Sequence, residues 1–150
     1  MTNTKSELYE QHPDWVIKAP ERELICDRGG TQVVLDLSNP KVQDFIVQTV
    51  DKLMTSYPDI DYIKWDANTS IVNQGSQYLT KDNQSHLNIE YHRGLENVCR
   101  RIRARYPKLT MQACASGGKA MSIKPSRKNY SRSLPKKSPN ITAYSLSTPK

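Results

Sequence analysis

Lys64 and Asp66 stand two residues apart at the end of the short apolar run Ile-Asp-Tyr-Ile-Lys-Trp-Asp, residues 60–66. Side chains alternate along an extended strand. Ile60, Tyr62, Lys64 and Asp66 therefore point one way and Ile63 and Trp65 the other, with the lysine roughly 7 Å along the strand from the carboxylate. A neighbouring cation favours the ionised carboxylate, and an ionised carboxylate at a strand end is what covalent attack on an electrophilic carbon requires. The same spacing also suits an aspartate that simply caps the turn after the strand.

The elements that must position this pair are written in the flanking sequence. Residues 32–38 alternate so that Val33, Leu35 and Leu37 share a face, and Asn39-Pro40 follows as a helix cap with proline at the first helical position. A helix is then predicted through Val42, Phe45, Ile46, Val50, Leu53 and Met54 until Pro58 forbids continuation. The strand at 60–65 comes next. A polar stretch containing Gly75 reads as a long loop, functional or disordered. Ser85 is placed to cap a second helix whose buried stripe is Leu87, Tyr91, Leu95, Val98 and Ile102, with Arg100, Arg101, Arg103 and Arg105 near its carboxyl end. A third strand is expected at 109–115, with Gln112, Cys114 and Ser116 on one face. Strand, helix, strand, helix, strand makes two βαβ units in a parallel sheet, and Asp66 and Ser116 fall at the carboxyl ends of strands, where parallel α/β folds bind ligands.

Composition narrows the classes. The 150 residues carry a formal net charge of +7, a pI near 9.4 and a mean hydropathy of −0.73. The charge is not spread evenly. Residues 119–150 hold eight Lys or Arg and no acid, whereas residues 1–118 hold 14 basic and 15 acidic side chains, a net of −1. With seven serines, four prolines and no hydrophobic period, residues 119–150 are expected to be a disordered basic tail. An abrupt change of this kind fits an altered reading frame; a genuine basic arm, making the chain a non-catalytic binder of nucleic acid, is the alternative, although only Tyr130 and Tyr144 are there to stack on bases.

Cys26, Cys99 and Cys114 show no paired spacing, and an odd count argues against a closed disulfide framework. His12, His86 and His92 make no metal set, because six helical residues turn through about 240° and separate the last two. The glycine pairs at 29–30 and 117–118 lack a complete phosphate-binding fingerprint. No run approaches a membrane span, and the start lacks a signal-peptide core, so the expectation is an unexported, by default cytoplasmic chain with no membrane partner.

The motifs around the candidate pair keep one order. Ser6-Glu7-Leu8-Tyr9, His12-Pro13-Asp14-Trp15, Gln32-Val33-Val34-Leu35-Asp36, Lys64-Trp65-Asp66 and Cys114-Ala115-Ser116-Gly117-Gly118 are joined by Gln84-Ser85-His86-Leu87 and Tyr91-His92-Arg93-Gly94-Leu95. Over about residues 3–118 this resembles the alpha-galactosidases of glycoside hydrolase family 36. The resemblance implies a partial (β/α)₈ barrel of about three parallel strands and two helices at 1–118. It also implies hydrolysis, by double displacement, of terminal alpha-galactosides of the raffinose and melibiose kind, with no metal or organic cofactor. It makes Asp66 the nucleophile, sets Lys64 against sugar hydroxyls and lines the sugar site with Cys114 and Gly117. Without it, Lys64 reads as a solvated strand-end lysine and Cys114 as a small buried filler. Arg28 is a further substrate candidate, displaced from the family register by Gly29, Gly30 and Thr31. Trp15 suits either stacking on a sugar face or anchoring a loop, and Asp36, close to a helix cap, reads as structural.

Retaining glycosidases need a second carboxyl group about 5 to 5.5 Å from the first. The family's proton donor is an aspartate on a later strand, and no acid follows Glu96 here. The expectation is therefore an internal piece of a barrel, inactive alone, whose unpaired strand edges lead it to self-associate.

Overall fold

A computed structural model describes residues 1–26, 30–66, 71 and 74–114. Arg28, Gly117 and the basic segment 119–150 lie outside the described residues.

The chain opens on β1 (Thr2–Asn3) and α1 (Glu7–Gln11), the latter started by Ser6, whose hydroxyl accepts the Tyr9 N–H at 3.3 Å. A 3₁₀ turn, Pro13–Trp15, leads into the run at 16–17. Here the structure corrects an expectation: residues 32–38 are not a third parallel strand. β2 is only Gln32–Val33 and pairs antiparallel with β1, Thr2 facing Val33. Further along, Leu35 bridges Val16 antiparallel, the Ile17 N–H donates to the Val34 carbonyl at 2.8 Å, and the Asp36 N–H donates to the Trp15 carbonyl at 2.7 Å. Alternation reports which face is buried and not which strand lies alongside, and the burial was read correctly: Val33, Leu35 and Leu37 all enter the core.

α2 (Pro40–Ser56) begins where the cap predicts, with the Asn39 side chain accepting the Lys41 N–H at 3.0 Å and Pro40 at the first helical position. It ends at Tyr57, before Pro58. Val42, Ile46, Val47, Val50 and Met54 face inward, while Phe45 and Leu53 stay partly exposed. α3 (Leu87–Arg105) buries Leu87, Leu95, Val98, Cys99 and Ile102. Its predicted cap is wrong: Ser85 lies within a 3₁₀ turn, Lys81–His86, and α3 is entered through His86 without a side-chain cap bond. Ion pairs Arg101–Asp44, at 2.7 Å, and Arg105–Asp51 tie the two helices together.

Gly94 sets how closely α3 approaches the rest. A Cβ there would stand 1.8 Å from the Leu37 carbonyl oxygen, so only glycine admits this contact. The core beneath both helices joins Val16, Val33, Leu35 and Leu37 to the α2 and α3 stripes and to Leu109.

β3 (Tyr62–Asp66) and β4 (Thr110–Cys114) form a two-stranded parallel sheet, connected through α3 as a single βαβ unit. Both strands are slightly shorter than predicted. Ile60 lies before β3 and packs against the core, so it does not share a face with Lys64 as the alternation suggested. Ile63, Trp65 and Met111 pack against the same core as expected for the covered face of the sheet. Among the described residues the architecture is a partial α/β unit with two small sheets, not a closed barrel. Among the described residues no helix is long and apolar enough to cross a membrane.

Candidate active site

The parallel register sets Tyr62 opposite Thr110, Lys64 opposite Gln112, and Asp66 opposite Cys114. Because Ile63, Trp65 and Met111 take the core side, Tyr62, Lys64, Asp66 and Gln112 take the other. Asp66 is the last residue of β3, at its carboxyl end. The Lys64 ammonium stands 3.9 Å from Asp66 Oδ2, with the two side chains 39% and 41% exposed. An ion pair that long and that open contributes at most about 1 kcal/mol, so stability does not account for placing both charges there. What the arrangement offers is chemistry: an accessible carboxylate with a cation one step below it on the same face. Below that again, the Tyr62 hydroxyl donates across the strands to Gln112 Oε1.

A second carboxylate, Asp36, is fully buried and fully employed. Its Oδ1 accepts the Ser38 N–H at 2.9 Å and the Ser38 hydroxyl at 2.6 Å, while Oδ2 accepts the Ser76 hydroxyl at 2.5 Å. Ser76 Oγ in turn accepts the N–H groups of Tyr78 and Leu79, each at 3.0 Å. Gln84 brackets the same turn, accepting the Ser76 N–H at 2.9 Å and donating to the Ser76 and Leu79 carbonyls at 2.8 and 2.7 Å. The structural reading of Asp36 holds, and its role is larger than a cap: it fixes the far end of the connection that follows Asp66. Gly75 belongs to the same junction, its carbonyl accepting the Lys18 N–H at 2.9 Å and its Cα lying where a Cβ would meet Ala19 Cα at 2.2 Å. Burial, and then the Asp36 charge, push the nearby Tyr91 hydroxyl up to about 12.

Trp15 stacks on His12 with ring centroids 3.9 Å apart and meets Phe45 edge-on at 5.7 Å. It packs against the core, and its carbonyl holds Asp36. These contacts are what a loop anchor makes, and the ring is only partly buried, so stacking on a sugar face stays open beside it.

The chain matches the melibiase family model over residues 1–124. The chain belongs to the melibiase family. It is 38% identical to alpha-galactosidase 2 of Pediococcus pentosaceus over 118 residues, which is 79% of this chain and 16% of that protein. Against alpha-galactosidase AgaA of Geobacillus stearothermophilus the identity is 36%, again over 79% of this chain and 16% of the relative. Among solved structures, an alpha-galactosidase from Lactobacillus brevis superposes with a TM-score of 0.71 at 37% identity, covering 77% of this chain and 15% of that one. A variant of AgaA in complex with stachyose gives 0.70 at 34% identity, covering 78% and 16%. This chain thus spans about one sixth of the melibiase relatives it matches.

Within this melibiase segment the structure brings Lys64 and Asp66 together on one face, with the Cys114 Cα in register beside Asp66. It sets Trp15 among core aromatics. Arg28, Gly117 and Ser116 lie outside the described residues. Two polar residues of the same face were given no role from sequence, Tyr62 and Gln112. Alternation placed each on its face, but only the β3–β4 register shows that they meet.

Proposed function

We propose that the chain is the nucleophile-bearing segment of a retaining alpha-galactosidase acting on terminal alpha-galactosides such as raffinose and melibiose. The carrying observation is the Lys64–Asp66 pair at the carboxyl end of a parallel strand in a melibiase-family chain. A solved relative, AgaA, has been captured with raffinose and with stachyose, which supports that substrate class. In this reading Asp66 attacks the anomeric carbon and expels the leaving oxygen, forming a galactosyl ester that water then opens, with overall retention. Lys64 donates to sugar hydroxyls beside the attacking carboxylate. Cys114, Gly117 and Arg28 complete the sugar site, and a carboxylic acid supplied from outside residues 1–118 protonates the leaving group. No metal or organic cofactor enters the reaction.

The test is a chimera in which residues 1–118 replace the matching segment of P. pentosaceus alpha-galactosidase 2. The chimera should cleave an aryl alpha-galactoside, and Asp66→Gly should lower turnover by at least about 10³-fold. Azide should then restore consumption of the substrate in the Asp66→Gly enzyme as galactosyl azide, since a small anion fits where the carboxylate stood. Near-normal turnover by the glycine variant without azide would remove Asp66 from the nucleophile role.

A further inference from the structure

We propose that Gln112 contacts the substrate, its amide N–H donating to a hydroxyl of the sugar held at Asp66, and that Tyr62 fixes the direction of that amide. The inference rests on the alpha-galactosidase reading above and deepens it.

The backbone register puts Gln112 beside Lys64 on the adjacent strand, about 4.8 Å away, and one side-chain layer below Asp66. A ring seated with its anomeric carbon over Asp66 therefore has Lys64 and Gln112 as side-by-side neighbours. The chemistry of the pair then decides what Gln112 offers. The Tyr62 hydroxyl donates to Gln112 Oε1, which engages the amide's acceptor and leaves its two N–H donors without a partner among the described residues.

The residue types are also wrong for filler. The inner face of a (β/α)₈ barrel is ordinarily packed with bulky branched apolar side chains, and here the corresponding layers are Tyr62, Lys64 and Gln112. Gln112 is exposed on this open face, so its oriented N–H groups are accessible to a ligand hydroxyl. Gln112 then donates to the sugar beside the Asp66 carboxylate. Side by side, Lys64 and Gln112 present donors to adjacent hydroxyls, so Gln112 is a residue through which the site reads hydroxyl positions.

The experiment uses the chimera carrying residues 1–118 and a set of aryl alpha-galactosides, the parent and its 2-, 3-, 4- and 6-deoxy forms. If the unmutated chimera cleaves none of them, the alpha-galactosidase reading has failed, and Gln112 with it. If it cleaves the parent, Gln112→Ala should lower kcat/KM on the parent by about 10- to 100-fold, as expected for a lost hydrogen bond to the bound sugar. On one deoxy substrate, the one lacking the contacted hydroxyl, the same substitution should cost less than about 2-fold, because there is no bond left to lose. Tyr62→Phe should show a smaller loss with the same substrate signature. A Gln112→Ala penalty that is equal on all five substrates, or no penalty at all, overturns the proposal, since a residue that only supports the strand cannot distinguish which hydroxyl is missing. Should Gln112→Ala fail to accumulate in soluble form, Gln112→Met, which keeps the volume and removes the donors, gives the same readout.

Discussion

Ile102 and Tyr62 belong to one βαβ unit, and their surroundings have little in common. Ile102, fully buried, sits in a core that the chain completes from its own residues, with α2, α3 and the run at 32–38 closing around it. Tyr62 looks out from a sheet of two strands whose other face packs on the core, and among the described residues its own face is open. The core under the helical layer is drawn from residues between Val16 and Leu109, whereas among the described residues the far face of the sheet is met by no such core. The lesson is that a helical layer can be specified by contacts among its own elements while the open face of the adjoining sheet is not.

The largest effect that separates the two regions is catalytic. The 150-residue chain alone should show no alpha-galactosidase activity above a buffer blank and should elute as aggregate, whereas the chimera should turn over. General acid assistance by itself is typically worth about 10²- to 10⁴-fold, and the exposed strand edges promote association. A monodisperse monomer with measurable turnover would break the comparison and point to an acid within residues 1–118 as the donor.

Stability should divide the same way. In urea unfolding of the chain, kept dilute enough to stay dispersed, Ile102→Ala should cost about 2–5 kcal/mol. Lys64→Ala, on the open face, should cost less than about 0.5 kcal/mol. Comparable losses at both positions would mean that the sheet is as self-sufficient as the helical layer.

Gly94→Ala sharpens the point at the seam. Helix propensity alone favours alanine by about 1 kcal/mol, yet the added methyl would run into the Leu37 backbone, which cannot swing aside as a side chain could. Net destabilisation of about 1–3 kcal/mol is expected in the same assay. A gain in stability would show that α3 does not need that close approach.

The smallest effect is alkaline. Tyr91, held protonated to about 12 in the folded chain, loses its proton near 10 once unfolded, so unfolding releases a proton in that window. The stability it contributes is complete below pH 10 and disappears as pH rises from 10 to 12. Because the ring is partly exposed, the loss should be about 1 kcal/mol. Tyr91→Phe should flatten that part of the urea-midpoint profile, and an unchanged slope would remove Tyr91 as its source.

Local signals were legible in the chain; long-range pairings were not. Asn39-Pro40 announced α2 because a cap and a proline act within one turn, and the spacing from Leu87 to Ile102 announced α3 because burial repeats with the helix. Val16, by contrast, pairs with Leu35 across 19 positions, and nothing in either residue names the other. The false cap at Ser85 has a related cause: a capping residue type was present, but a 3₁₀ turn had already taken the segment. At the site, Lys64 and Asp66 were readable because they share one strand. The Tyr62–Gln112 bond spans two strands and emerges only with the register. The roles of Arg28 and Gly117 still rest on resemblance.

The junction of Asp36, Ser76 and Gly75 has a consequence for loop variation. Asp66 is fixed by β3 and Ser76 by a buried carboxylate, so the eight residues between Asp66 and Gly75 start and finish at anchored points. Lengthening a chain between fixed ends costs only about 0.6 kcal/mol of closure entropy for each doubling. A change of length in residues 67–74 would thus fall between two points held by their own contacts, β3 on one side and the buried Asp36–Ser76 bond on the other.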